Sequence, residues 1–156
     1  MNPLRRTLLK GTGAAGTVAV ALAAGLLKPG QVLAAEWNKP AFESKGIIDA
    51  LKGIGASSAA DSKDIPIKAP DIAENGAVVP VEVTSRIPGT ESIAIVVEKN
   101  DRPLIAVFNL LNGAEGFVST RIKMAQTSDV KVVVKAGGKM YTAKKEVKVT
   151  IGGCGG

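Results

Sequence analysis

The sequence predicts an all-β protein. The expected form is an antiparallel, immunoglobulin-like β-sandwich of about seven strands, preceded by a helix and followed by a flexible glycine-rich arm. Three observations carry this. From Ile65 onward apolar residues recur at every second position, the period of a strand with one buried face. Turn-forming groups separate the runs at regular intervals: Glu74-Asn75-Gly76, Pro88-Gly89, Lys99-Asn100-Asp101, Asn112-Gly113 and Gly137-Gly138. From Ile65 to Ile151 the apolar residues are mostly valine and isoleucine, and only 3% of the chain is aromatic, so the core is aliphatic and suits a pleated surface.

The chain opens with a leader, residues 1–35. Arg5, Arg6 and Lys10 precede an apolar stretch from Gly11 to Leu27, and Val32-Leu33-Ala34-Ala35 supplies small residues for cleavage. The layout resembles a twin-arginine signal, which exports proteins already folded. Leu4 and Leu8 stand where that pattern usually has Ser or Thr and Phe. The apolar stretch is short and glycine-rich for a membrane span, so we expect a removed signal, a periplasmic location and no span afterwards. Cleavage takes four of the 20 basic residues and none of the 14 acidic ones, leaving 16 against 14 and a net charge of +2. The basic character belongs mostly to the leader. No basic stripe with interleaved aromatics remains, so nucleic acid is not an expected partner.

Residues 36–64 read as a helix and linker. Asn38 is placed to cap, Pro40 suits a first turn, and Phe42, Ile47, Ile48, Leu51 and Ile54 recur near helical spacing. One helix from Pro40 to Gly53 is expected, with Ala56–Asp64 as linker. Residues 65–151 carry the sandwich. Ile65-Pro66-Ile67 suits a short edge strand. Alternating runs follow at Val79–Val83, Ile93–Val97, Val118–Met124, Val130–Val134 and Val147–Ile151. Leu104–Leu111 is apolar on both faces, which fits a central strand or a strand that covers a partner.

The chain lacks the groups a self-contained active site needs. It has no histidine, and so neither the commonest general base nor the commonest transition-metal ligand. One cysteine cannot build a structural zinc or iron–sulfur site or attach a haem, and no glycine-rich loop opens a helix to cradle phosphate. No cofactor, metal site or enzymatic activity of its own is therefore expected. Charged pairs such as Asp71 with Glu74, or Asp101 with Arg102, read as solvated surface.

One reactive atom remains. Cys154 sits between Gly152-Gly153 and Gly155-Gly156. Four glycines around one thiol make a slender tether that reaches roughly 10 Å beyond Ile151 when extended. An odd cysteine in an oxidising compartment points to chemistry with something outside the chain. No cation lies nearer in sequence than Lys148, and a carboxylate beside the thiol disfavours its thiolate, so activation is expected in a partner's site. Two other readings stay open: an exported interaction module joined through a Cys154 disulfide, and a diglycine carrier activated at the Gly156 carboxylate. ATP-dependent activation of the latter sits poorly with export.

The leader, the sandwich and Gly152-Gly153-Cys154-Gly155-Gly156 together resemble the SoxY family, sulfur carriers of bacterial thiosulfate oxidation. The stretch from Ile67 to Val81, IKAPDIAENGAVVPV, is similar to the family's as well. The resemblance implies that Cys154 is the point of covalent substrate attachment and that the four glycines form a swinging arm. It implies a heterodimer with a small β-sandwich subunit, SoxZ, with Leu104–Leu111 the first surface to consider. It also implies three visiting enzymes: a c-type haem enzyme that couples thiosulfate to the thiol, a metal-dependent thiosulfohydrolase that releases sulfate, and a sulfur dehydrogenase acting on the persulfide.

Overall fold

Two short helices begin the described chain. In the computed structural model, residues 38–111 and 113–150 are described, and they lie in one compact unit, Asn38–Gly156. Helix α1 spans Lys39–Glu43 and α2 Ile47–Gly53. The Asn38 carboxamide oxygen accepts the Ala41 N–H at 3.3 Å and Pro40 occupies the first turn, as the sequence predicts. The single helix expected from Pro40 to Gly53 is broken at Ser44–Gly46. Ser44 and Gly46 both adopt extended backbone. The Ser44 hydroxyl donates to the Pro40 carbonyl at 2.8 Å, the acceptor a continuing helix would give to a backbone N–H. Two poor helix formers in three residues are enough to stop so short a helix. The halves fold back on each other, and the Asn38 amide nitrogen donates to the Gly53 carbonyl at 2.7 Å.

Nine strands follow: β1 Ala60–Asp61, β2 Ile67–Lys68, β3 Ile72–Ala73, β4 Val79–Thr84, β5 Thr90–Val97, β6 Leu104–Asn109, β7 Phe117–Ile122, β8 Ser128–Ala136 and β9 Lys139–Val149. They form the expected sandwich. The larger sheet has the order β1-β9-β8-β5-β6, with β3 also on β9; the smaller has the order β2-β4-β7. Two pairings depart from the antiparallel plan: β1 and β3 both run parallel to β9, pairing with Tyr141–Thr142 and Lys148–Val149. β1 lies inside the expected linker. β9 is much longer than the predicted run, because the β8–β9 hairpin closes at Gly137-Gly138. Both glycines have positive φ (55° and 72°), which a two-residue type I′ turn requires.

The core fills the space between the sheets. Val79, Val81 and Val83 of β4 face Ile93, Ile95 and Val97 of β5 and Val130, Val132 and Val134 of β8, with Met124 and Val147 beside them, all fully buried. A second cluster covers the outer face of the larger sheet. Ala41 and Ala50 of the helices pack with Ala94, Val96, Leu104 and Val133. The layers are therefore helices, larger sheet, smaller sheet.

This layering corrects the reading of Leu104–Leu111 as a central strand. β6 ends its sheet, with β5 on one side and no strand on the other among the described residues. Its two apolar faces have separate causes: Phe108 packs on the inter-sheet core, Leu104 and Val107 on the helices. Ile105 is the extra residue of a bulge, since Ile95 pairs with Ala106 and Val96 with Leu104.

Candidate functional site at the root of the tether

The predicted site residues Gly152, Gly153, Cys154, Gly155 and Gly156 lie outside the described residues. What the structure describes is the stretch of chain just before them, at the end of β9. Here two separate parts of the chain hold Val149 and Thr150. The Thr127 hydroxyl accepts the Val149 N–H at 2.9 Å and lies 3.5 Å from the Val149 carbonyl as a donor. The Thr150 N–H donates to the Ala73 carbonyl at 3.1 Å, and its hydroxyl to the Glu74 carbonyl at 3.2 Å. The Lys148 N–H donates to the Asp71 carbonyl at 2.9 Å. Backbone bonds of this kind satisfy the end of a strand that otherwise frays.

β3 is fastened in turn by a lysine. Lys145 donates to the Ala69 carbonyl at 2.6 Å and pairs with the Asp71 carboxylate at 3.0 Å. Beyond β3, Asn75 turns the chain by accepting the Ala77 N–H at 2.8 Å, and the Gly76 carbonyl accepts the Met124 N–H at 2.7 Å. Two large apolar side chains stand out to solvent on this collar: Ile72 is 58% exposed and Val78 is 54% exposed. Asp71 and Glu74 are solvated, as the sequence suggests, but their backbone carbonyls build the collar, which sequence reasoning missed. The β-branched Ile72, between a proline and an acidic turn, was the one available signal.

Charge pairs elsewhere are surface features. Lys135, at 2.9 Å, and the Gly138 N–H hold the Glu91 carboxyl below the usual carboxylate value of 4.5. Asp129, at 3.0 Å, raises Lys144 above the usual lysine value of 10.5. A cleft of about 470 Å³ lies between Ser85, Thr90, Leu110 and Gly116. It is at the far pole of the sandwich: Thr90 pairs with Ala136 beside the β8–β9 turn, and β9 runs roughly 30 Å from there to Val149. Its polar groups are already engaged, Ser85 with Thr90 at 2.7 Å and Thr90 with the Ile87 carbonyl at 2.8 Å. Among the described residues no three His, Cys, Asp or Glu side chains converge as a metal site, and no helix is long and apolar enough to cross a membrane.

Comparison with known proteins points one way. No curated protein sequence matches the chain. A chain from a structure that describes T cell specificity and activation by the bacterial superantigen toxic shock syndrome toxin-1 is similar at 12% identity and a TM-score of 0.40, over 55% of this chain and 98% of that one, a likeness too weak to argue from. The structure of the sulfur carrier protein SoxY from Chlorobium limicola f thiosulfatophilum is 44% identical, with a TM-score of 0.62, and covers 73% of this chain and 100% of its own. A family model described as sulfur oxidation protein SoxY matches residues 51–154, a span that includes both the collar and Cys154. With every described strand and Cys154 inside that match, the chain belongs to the SoxY family of sulfur oxidation proteins.

Proposed function

We propose that this chain is a covalent carrier in thiosulfate oxidation, with Cys154 as the attachment point and the surrounding glycines as a swinging arm. The observation that carries the reading is the family match through Cys154, joined to a β9 end that is fixed on both sides just before the glycines begin. A fixed root and a slender tether deliver one sulfur to several sites in turn.

The chemistry balances without a cofactor in this chain. Coupling joins the Cys154 thiolate to the outer sulfur of thiosulfate, forming Cys–S–S–SO₃⁻ and delivering two electrons to a c-type haem enzyme. Hydrolysis by a metal-dependent thiosulfohydrolase then adds one water. Sulfate leaves with two protons released, and Cys–S–S⁻ remains. A sulfur dehydrogenase or a further acceptor takes the persulfide sulfur. The carrier is a substrate of these enzymes and supplies position, not catalysis. Its exposed sheet edge at β6 supports a heterodimer with a SoxZ-like subunit, and its leader supports folded export to the periplasm.

Intact-mass measurement tests the reading. Protein from thiosulfate-grown cells is expected to carry added sulfur, or sulfur with oxygen, on Cys154, and the Cys154→Ser chain none. A Cys154→Ser strain that oxidises thiosulfate normally overturns the carrier function. A doubled mass lost on reduction favours the disulfide-linked module instead.

A further inference from the structure

We propose that Asn75 is a site of spontaneous covalent modification, which converts it to isoaspartate through its neighbour Gly76 and loosens the hold on the end of β9. The reaction needs no enzyme and stands apart from the carrier function. The Gly76 backbone nitrogen, on losing its proton, attacks the carboxamide carbon of Asn75. Ammonia leaves with a proton taken from water, and a five-membered succinimide remains. Water then opens the ring. Opening at the side-chain carbonyl gives aspartate. Opening at the main-chain carbonyl gives isoaspartate, in which the backbone runs through the side-chain methylene. The net change is one water taken up and one ammonia lost, with no oxidant or reductant.

The structure selects Asn75 among the described asparagines. Its side chain is exposed, and its Oδ1 accepts the Ala77 N–H at 2.8 Å. Negative charge develops on that oxygen as Gly76 attacks, so the chain supplies its own oxyanion donor. The Asn75 amide nitrogen, which must leave, makes no hydrogen bond among the described residues, and neither does the attacking Gly76 N–H. Glycine has no Cβ to crowd the approach. The other described asparagines are blocked. Asn38 and Asn100 have both the oxygen and the nitrogen of the carboxamide bonded to backbone, Asn38 with Ala41 and Gly53, Asn100 with Ala125 and Lys123. Asn109 precedes Leu110, whose side chain crowds the peptide nitrogen. The consequence falls on the collar. The Glu74 carbonyl accepts the Thr150 hydroxyl at 3.2 Å, and the Gly76 carbonyl accepts the Met124 N–H at 2.7 Å. Asn75 lies between these two anchors. An isoaspartyl link lengthens the main chain between them by one methylene and adds a carboxylate, so the two bonds no longer fit together.

The test incubates the purified protein at mildly alkaline pH and follows each asparagine by peptide mapping and mass spectrometry, with an isoaspartyl O-methyltransferase as the probe for the altered link. Mapping counts Asn75 separately from Asn112, which also precedes a glycine and lies outside the described residues. Asn75 is expected to convert within about threefold of its rate in the free hexapeptide Ala73–Val78, because the Ala77 N–H offsets the constraint of the turn. Asn38 and Asn100 should convert at least thirtyfold more slowly. The rate should rise with pH, since the attacking nitrogen must lose its proton. An Asn75 still intact when the peptide has converted overturns the site. The isoaspartyl form, separated from the unreacted chain, should show at least tenfold faster solvent exchange at the Thr150 amide, with the core amide of Val132 unchanged. Equal exchange at Thr150 overturns the loosening. Asn75→Gln keeps a carboxamide but would need a six-membered ring, so the same incubation should leave Thr150 exchange in that variant where it began. If exchange quickens there as well, the loosening has another cause and the proposed link is overturned.

Discussion

Cys154 announces itself as the one thiol in a chain without histidine, set between two pairs of glycine. Ile72 and Val78 do not, because sequence alternation marks them only as strand residues; their exposure depends on which segment β3 joins. Gly116 is a further case. In the sequence it is one turn glycine among several, yet its carbonyl accepts the Ser85 N–H at 2.6 Å, and an added Cβ would lie 2.8 Å from the Ser85 carbonyl oxygen and 3.0 Å from the Ser85 Cβ. Backbone cannot move aside as a long side chain does. Gly116→Ala is expected to destabilise the fold by about 1–3 kcal/mol, read as a lower urea midpoint with unchanged slope. Tetrathionate should still react with Cys154 at the wild-type rate, since Gly116 sits at the far pole from the tether root.

Among the elements, those with a strict period of two were legible and those held by long-range partners were not. β4, β5, β7 and β8 follow their valine and isoleucine alternation. The first half of β9 was hidden because Lys144 and Lys145 interrupt its apolar pattern; both are used, one on Asp129 and the other on Ala69 and Asp71. β1 and β3 are two-residue strands with too little sequence for a pattern, and each exists only because β9 offers an open side. The helix was legible in its cap and its apolar residues but not in its break, since hydrophobic spacing carries no signal for a serine that turns back on its own carbonyl. The end of β9 yields a prediction at this scale. Thr127→Val keeps the shape of the side chain and removes the hydroxyl that holds Val149. The Val149 amide should exchange with solvent faster by about tenfold, and stability should fall by about 1 kcal/mol. Unaltered exchange at Val149 would show that β3 alone secures the root.

For the molecule as a whole, the sandwich was readable while the covering of its outer face was not: periodicity tells how many faces a strand buries, and leaves open whether helices or another sheet do the burying. β6 illustrates this, since an edge strand with two apolar faces looks central in sequence. Open edges pair readily with other chains and are normally covered. The backbone amides of β6 that point away from β5 are expected to exchange rapidly in the isolated chain and, on the heterodimer proposed above, to be protected at least tenfold when a SoxZ-like subunit is added, with β2 on the smaller sheet unaffected. Equal exchange in both states would place the partner subunit elsewhere. The parallel union of β3 with β9 has a mechanical consequence. Ladder bonds lie broadly across the strand direction, so a tug transmitted through Thr150 along β9 strains its bonds to β8 and β3 side by side. They yield together or not at all, whereas a strand pulled sideways from a sheet unzips bond by bond. On the carrier function proposed above, a pull on Cys154 by a partner would load these bonds in parallel and leave the body of the sandwich folded.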